Sequence, residues 1–393
     1  MPHLGKLSAG ISDLRVGVVA ECFPVYRAAV LAELLRIPDI KYYFLGGTEP
    51  ILPGYRTHIP GRPEDFIRLR TRRIGPIRWQ QGLLREIVAR RFDVLIITGD
   101  WAFISTWLGA IVARLLGLPV LFWTHGWARP ERGLRLLVRR CFYRCATGLL
   151  LYSEYGRRLA ESYGLPANRL FVVHNSLDLP AQDAAAQSIE PSSVKAVLER
   201  FPDPSLPLVV SSFRLVSDRA VDECISAVAW LGRTGFPVNY LIVGDGPDLP
   251  RLQAVAVESG AAVSFFGPCY DEATLAKVYA AADVSVAPRM VGLSALQSLA
   301  YGTMMVTCDD ITLQTPEWEV LEDGVTAVLY TAGDVSALAR AMRKVIALSR
   351  SGEIDENRLR KRLAESYNPA EHARRINAAV LAAAQGRAEA GGS

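Results

Sequence analysis

Short apolar runs alternate with amphipathic, helix-period segments along nearly the whole chain, in two series separated by one break. In the first series, strand-like runs fall at Arg15–Ala20, Tyr42–Leu45, Val94–Thr98, Val120–Trp123, Leu149–Tyr152 and Leu170–Val173. The helical segments between them are Ala28–Leu35, Gln80–Arg91, Ile104–Leu116, Leu134–Cys145 and Glu154–Tyr163. In the second series, strands are expected at Leu208–Ser212, Asn239–Val243, Val263–Phe266, Val284–Ala287, Met305–Thr307 and Ala327–Leu329. Helices are expected at Val221–Arg233, Leu249–Val257, Glu272–Ala281, Leu293–Tyr301 and Val335–Ile346, and two more near Asp355–Glu365 and Pro369–Ala384. Such alternation requires parallel strands joined by helical crossovers. The expected fold is therefore α/β, with two doubly wound, Rossmann-like domains facing a central cleft. Ligands of such sheets bind beyond the carboxyl ends of the strands.

The break, Leu179–Ser193, is rich in Pro, Ala, Gln and Ser and lacks a strand pattern. The expected domains are residues 1–180 and 194–366, with a linker at 181–193. A helix at 367–384 is expected to pack back on the first domain, and 385–393 to form a disordered tail. A chain of 393 residues fits two domains.

Charge is unevenly spread. Residues 1–180 hold 25 Lys and Arg against 14 Asp and Glu, whereas the remainder holds 19 against 26. A basic half joined to an acidic half suggests that the first half meets something anionic. Nucleic acid, a membrane surface and a lipid phosphate all fit, as does ordinary solvated charge. The helix Leu134–Cys145 carries Arg135, Arg139, Arg140 and Arg144 beside an apolar face, and Arg70, Arg72, Arg73 and Arg78 follow Arg68. Basic amphipathic segments of this kind rest on anionic lipid, although core-packed helices also look like this. Met1–Asp13 lacks the apolar core of a secretory signal, and six scattered cysteines show no CxxC spacing. The expectation is a reduced, cytoplasmic protein, at most peripheral on the inner face of the plasma membrane. Only six of the 44 basic residues are Lys, which hints at a GC-rich bacterial genome.

Four stretches of the second half carry chemistry. "VAPRMVGLSALQSLAYGT" takes a strand through a Gly292 turn into a helix at Leu293, whose first N–H groups suit a diphosphate. "LVVSSFRLVSDRAVD" places Arg214 and Arg219 beyond a strand end, where two cations can neutralise a leaving diphosphate; otherwise they are surface arginines. "NYLIVGDGPDL" runs a strand into Gly244-Asp245-Gly246-Pro247, either a close approach to a ligand or a plain turn. "FFGPCY" turns out of a buried strand at Gly267-Pro268, where backbone groups can read a base edge.

In this order and at these intervals, the four stretches resemble the donor-binding domain of family 4 glycosyltransferases of the GT-B fold. The resemblance covers roughly Leu208–Ile346 well and the first domain loosely. It implies transfer of a sugar, with retention, from a nucleotide-diphosphate sugar to a glycan or lipid-linked acceptor. The setting it implies is bacterial cell-surface polysaccharide or glycolipid synthesis. It assigns acceptor binding to the first domain and donor binding to the second. Arg214 matches the family's phosphate-gripping Arg, and Arg219 stands where Lys is usual. Pro316-Glu317 matches a later Pro-Glu pair, so Glu317 holds part of the donor. The family's two glutamates, with seven residues between them, are here Arg289 and Gln297. Gln297 can still hydrogen-bond a ribose diol, and Arg289 can add charge for the diphosphate.

In the first domain, His125 in "LFWTHGWARPERG" follows a strand end and is suited to orienting an acceptor or donor proton; a structural His is the alternative. His174, in "VVHNSLD", reads as architectural. Tyr26 and Arg27 in "ECFPVYRAAVL" stand where an acceptor phosphate or sugar enters, unless Arg27 only caps the fold. No metal is expected: Asp-x-Asp is absent, and Arg214, Arg219 and the Gly292 helix start can stabilise the diphosphate. No cofactor is expected beyond the nucleotide sugar as co-substrate. The rival readings are a catalytically degenerate partner subunit that binds nucleotide or glycan, and a GT-B nucleotide-sugar epimerase. A nucleic-acid partner is not expected, since no helix–turn–helix, zinc or RNA-binding signature is present.

Overall fold

The computed structural model describes residues 13–49 and 56–391. Met1–Asp13, read above for its lack of a signal, lies outside the described residues apart from Asp13. The chain forms two compact units, one of residues up to His174 together with Pro369 onward, the other Asn175–Asn368.

The first unit runs β1 (Leu14–Val19), α1 (Ala28–Leu35), β2 (Ile40–Gly46), β3 (Phe66–Arg68), β4 (Arg70–Ile74), β5 (Ile77–Gln81), α2 (Leu83–Val88), β6 (Val94–Thr98), α3 (Ile104–Leu115), β7 (Val120–Thr124), α4 (Gly133–Cys145), β8 (Gly148–Leu151), α5 (Glu154–Ser162) and β9 (Leu170–Val172). Seven strands form a parallel sheet in the order β3-β2-β1-β6-β7-β8-β9. The β-branched and leucine-rich runs that identify the strands are unbroken because both faces are covered. Successive residues point to opposite faces. Val94 and Ile96 therefore enter one core layer with Leu31, while Leu95 and Ile97 enter another with Leu83 and Phe142.

The second unit opens with α6 (Leu179–Gln187) and α7 (Pro191–Leu198). It continues β10 (Leu208–Ser212), α8 (Val221–Arg233), β11 (Asn239–Val243), α9 (Leu249–Ser259), β12 (Val263–Gly267), α10 (Glu272–Ala281), β13 (Val284–Val286), α11 (Leu293–Ala300), β14 (Met305–Cys308), β15 (Ala327–Tyr330), α12 (Val335–Ser351) and α13 (Glu356–Ser366). Its parallel sheet has the order β12-β11-β10-β13-β14-β15. A final helix, α14 (Pro369–Gly391), belongs to the first unit, where His372, Ala373, Ile376 and Val380 are buried.

Three expectations are corrected. Leu179–Ser193 is not an extended linker: it is α6 and the start of α7, both packed on α10. Pro180 and Pro191 sit in first helical turns, where the missing N–H has no intrahelical acceptor to lose, and Asp178 caps α6 by accepting from Ala181 N–H at 3.2 Å. Gln80–Arg91 is not one helix. Gln80 closes the β4–β5 hairpin and donates from its side chain to Ala20 O at 2.8 Å, and the left-handed Gly82 then starts the short α2. Residues 385–391 continue α14 instead of forming a disordered tail, and the last two lie outside the described residues.

Candidate functional site

The strand order of the second unit reverses at β10, which has β11 on one side and β13 on the other. The loops after β10 and β13 leave the sheet in opposite directions there, and a doubly wound sheet opens its ligand crevice at that point. Arg214 lies in the first of these loops. Its guanidinium is half-buried and makes no hydrogen bond or ion pair among the described residues.

Arg219 lies in the 3-10 turn Ser217–Arg219 just ahead of α8, not in the helix itself. Its guanidinium stacks on Phe213, 4.5 Å from the ring centroid, and donates to Met290 O in the β13 loop. That contact sets it against the Gly292 turn. A Cβ on Gly292 would lie 3.3 Å from Arg219 Nη2. Gly292 also has φ 57° and ψ −154°, a conformation open essentially to glycine alone. The turn leads into α11, whose first N–H groups at Leu293 and Ser294 have no intrahelical acceptor.

The segment after β14 braces this turn. Met290 N–H donates to Leu313 O at 3.0 Å, Val291 N–H to Gln314 Oε1 at 3.2 Å and Gly292 N–H to Thr315 Oγ1 at 2.7 Å. Two residues further on, the buried Glu317 accepts from Asn175 Nδ2 at 2.9 Å.

The two residues that replace the family's glutamates are both engaged. Arg289 Nη2 donates to Glu223 Oε1 at 2.5 Å, and Tyr330 OH donates to Oε2 of the same carboxylate at 3.4 Å. The Arg289 charge is thus matched within the protein, instead of standing free for a diphosphate as the sequence suggested. Gln297 Oε1 accepts from Ser212 Oγ at 3.3 Å and Tyr279 OH at 3.5 Å. Burial raises the Tyr279 and Tyr330 phenols well above their ordinary range, so both remain donors.

The glycines after β11 stand against the loop after β10. A Cβ on Gly244 would fall 1.9 Å from Phe213 O, and one on Gly246 would fall 2.0 Å from Leu215 O. The close approach that these glycines permit is to the Arg214 loop itself. Phe213 N–H donates to Val243 O at 3.0 Å, Leu215 N–H to Asp245 O at 2.9 Å and Gly244 N–H to Gly267 O at 2.8 Å. Asp245 Oδ1 is taken by Gly246 N–H at 2.7 Å. β12 is an edge strand and only half-buried, not the buried strand expected, and Pro268 beyond it is exposed.

At the sheet end of the first unit, the side chains are of another kind. Arg27 follows an exposed Tyr26 in the turn Val25–Arg27. It donates to Tyr152 OH at 2.6 Å and lies over Trp123, 4.6 Å from the ring centroid. His125 is exposed just past β7 and leans on Tyr152, with ring centroids 4.8 Å apart. His174 has φ 58° and its Nδ1 donates to Tyr152 O at 3.2 Å, in keeping with an architectural part. His372, from α14, stands edge-on to Trp123 at 5.5 Å. Burial, reinforced by Arg27, His174 and Arg375, lowers its pKa to about 3. Nearer the first strand end, Arg78 bridges Glu21 at 3.4 Å and Asp100 at 3.1 Å.

The sequence reading missed Trp123, Tyr152, Glu223, Asn175 and His372. Only Glu223 had a usable signal, one helical turn after Arg219. Among the described residues, no three His, Cys, Asp or Glu side chains gather as metal ligands, and no disulfide joins any of the six cysteines.

Two doubly wound units in tandem, with polar side chains at the strand carboxyl ends, define the GT-B class of fold. The chain belongs to the family 4-like glycosyltransferases: residues 207–347 match the model described as "Glycosyl transferases group 1", and residues 46–176 match "Glycosyl transferase 4-like domain". It is an enzyme of that kind. The 2-deoxystreptamine glucosyltransferase of Streptomyces kanamyceticus is 26% identical over 314 residues, which are 71% of this chain and 76% of that one. A GDP-mannose-dependent alpha-(1-6)-phosphatidylinositol dimannoside mannosyltransferase of Mycobacterium tuberculosis is 31% identical over 156 residues, 38% of each chain. In fold, the chain resembles Anabaena HepE, crystallised in complex with UDP, with a TM-score of 0.67 at 15% identity over 93% of this chain and 99% of that one.

Proposed function

We propose that the chain transfers a sugar, with retention of anomeric configuration, from a nucleotide-diphosphate sugar to a glycan or lipid-linked acceptor in a bacterial cell. The observation that carries this reading is the Arg219 guanidinium set against the Gly292 turn at the start of α11, with the unpaired Arg214 on the same β10 loop. As the sugar–phosphate bond breaks, the electron pair goes to the diphosphate. The held Arg219 guanidinium, the Arg214 guanidinium and the first N–H groups of α11 offset that growing charge without a metal. Glu317, held by Asn175, takes a hydroxyl of the donor. Gln297 donates from its amide to the ribose diol.

The acceptor is taken by the first unit. Arg27 and Tyr26 meet its anionic or hydroxyl groups, and His125 orients the reacting sugar, with Tyr152 fixing both Arg27 and His125. Relatives named for a UDP complex and for GDP-mannose support a nucleotide-sugar donor and leave its base open.

The test is a transfer assay on purified protein with UDP-, GDP- and dTDP-sugars, reading nucleoside diphosphate release and the anomeric configuration of the product. The expected result is turnover with one donor class, a retained configuration, and loss of turnover in Arg214→Ala with the fold intact. An inverted product, or an active Arg214→Ala, would overturn the proposal.

A further inference from the structure

One side of the first unit exposes a row of large apolar side chains that no described element covers. Ile104, Leu108, Ile111 and Leu115 stand at helical spacing along α3, with Ile111 43% and Leu115 81% exposed. Leu134 and Leu137, 74% and 54% exposed, stand on the face of α4 that carries Cys141. α3 and α4 each follow a strand of one parallel sheet, so they run side by side in the same sense. Arg114 Nη1 donates to Arg144 O at 3.3 Å, and Ile111, Leu115, Cys141 and Cys145 line the groove between them. The row continues past Trp101 to the β4–β5 hairpin, because Arg78 N–H donates to Ala102 O at 2.9 Å. The hairpin tip bears Ile74, 76% exposed, and Ile77.

The charge around this row is one-sided. From Trp101 to Leu150 the chain has seven arginines and a single carboxylate, Glu131. That carboxylate is nearly buried and already paired with Arg139 at 2.6 Å and Arg135 at 3.2 Å. Arg114, Arg129, Arg132 and Arg144 are exposed beside the row, and the hairpin adds Arg70 and Arg72, while its Arg73 is paired with Glu21 at 2.7 Å. Isolated exposed apolar residues need no explanation, but a contiguous row rimmed by one sign of charge does. A nucleic acid would match the arginines and not the leucines. An anionic bilayer matches both: isoleucine and leucine side chains enter the acyl boundary while long arginine side chains reach the headgroups. Among the described residues no helix is long and apolar enough to cross a membrane, so the contact is peripheral.

We propose that the α3–α4 face and the β4–β5 hairpin tip dock the protein on an anionic lipid surface. The site is separate from the residues assigned to chemistry above and does not rest on them. The experiment is flotation of the full chain with vesicles of phosphatidylcholine alone and with added phosphatidylglycerol, at low and high salt. Leu134→Ser/Leu137→Ser and Arg129→Glu/Arg132→Glu are run beside the wild type. The wild type is expected to float with the anionic vesicles only and to be released by salt. Each double variant should bind about tenfold more weakly or worse while keeping its melting temperature and its activity on a water-soluble acceptor. Three outcomes overturn the proposal. These are no flotation with anionic vesicles, variants that bind like the wild type, or a wild-type dimer that Leu134→Ser/Leu137→Ser converts to a monomer without any lipid binding, which would make a second copy the occupant.

Discussion

The carboxyl ends of the two sheets are built differently. In the second unit, the loops after β10, β11 and β12 are held to one another by backbone hydrogen bonds, and Gly244 and Gly246 are required because the Phe213–Leu215 backbone passes against them. In the first unit, backbone also joins the loops after β1 and β2, Ala20 N–H to Leu45 O at 3.0 Å and Gly47 N–H to Glu21 O at 2.8 Å, but the end at β7 and β8 is held by side chains: Arg27 on Trp123 and Tyr152, His125 and His174 on Tyr152, His372 on Trp123. A backbone-built site accepts few changes in its glycines, which suits the proposed binding of a feature common to all donors, the diphosphate. A side-chain-built site changes with single substitutions, which suits the half to which the proposed function assigns the acceptor.

The largest effect that tests this contrast is at Arg214. Arg214→Ala should lower the rate of transfer by roughly 10²–10³, with an unchanged melting temperature, because the guanidinium has no structural partner to lose. Next comes Gly246→Ala. Its Cβ would collide with Leu215 O, so it should lower both stability, by about 1–3 kcal/mol, and nucleotide binding. No single small-residue change at the first unit's sheet end should couple the two in that way. Chemical denaturation in parallel with nucleotide titration distinguishes these outcomes.

A third effect lies in pH. His372 has a folded pKa of about 3, below the roughly 6.5 of an unfolded imidazole. Between those values the unfolded chain binds a proton that the folded chain does not. Stability from this residue is therefore complete above about pH 6.5 and is lost as pH falls toward 3. His372→Phe should flatten that part of the stability–pH curve for the first unit, and an unchanged curve would remove His372 as its cause. The smallest effect is expected at Arg289, whose charge Glu223 already matches. Arg289→Ala should change transfer by less than about tenfold, and a larger loss would show that the pair opens to the donor.

Much of this was legible in the sequence. Strand and helix positions follow from runs of buried aliphatic residues, and the place of Arg214, Arg219 and Gly292 after a strand was legible for each. The linker was misread because Pro and Ala at helix starts look the same as Pro and Ala in a loop. The packing of Gly244 and Gly246 on the Phe213–Leu215 backbone was not legible, because a sequence shows that a close approach is needed but not which backbone makes it. Tyr152, Trp123 and His372 stayed hidden because they meet only through the fold, α14 returning to the first unit from the far end of the chain. The exposure of Leu134 and Leu137 was likewise invisible, since their spacing fits a buried face equally well.

The account rests on Arg214, Arg219 and the start of α11 taking a diphosphate. The direct measurement is calorimetric titration of the full chain with a nucleoside and with its diphosphate, for the wild type and for Arg214→Ala/Arg219→Ala. The account predicts that the wild type binds the diphosphate far more tightly than the nucleoside and that the double variant loses that difference. Equal binding of nucleoside and diphosphate by the wild type, or an unaltered preference in the double variant, would contradict it.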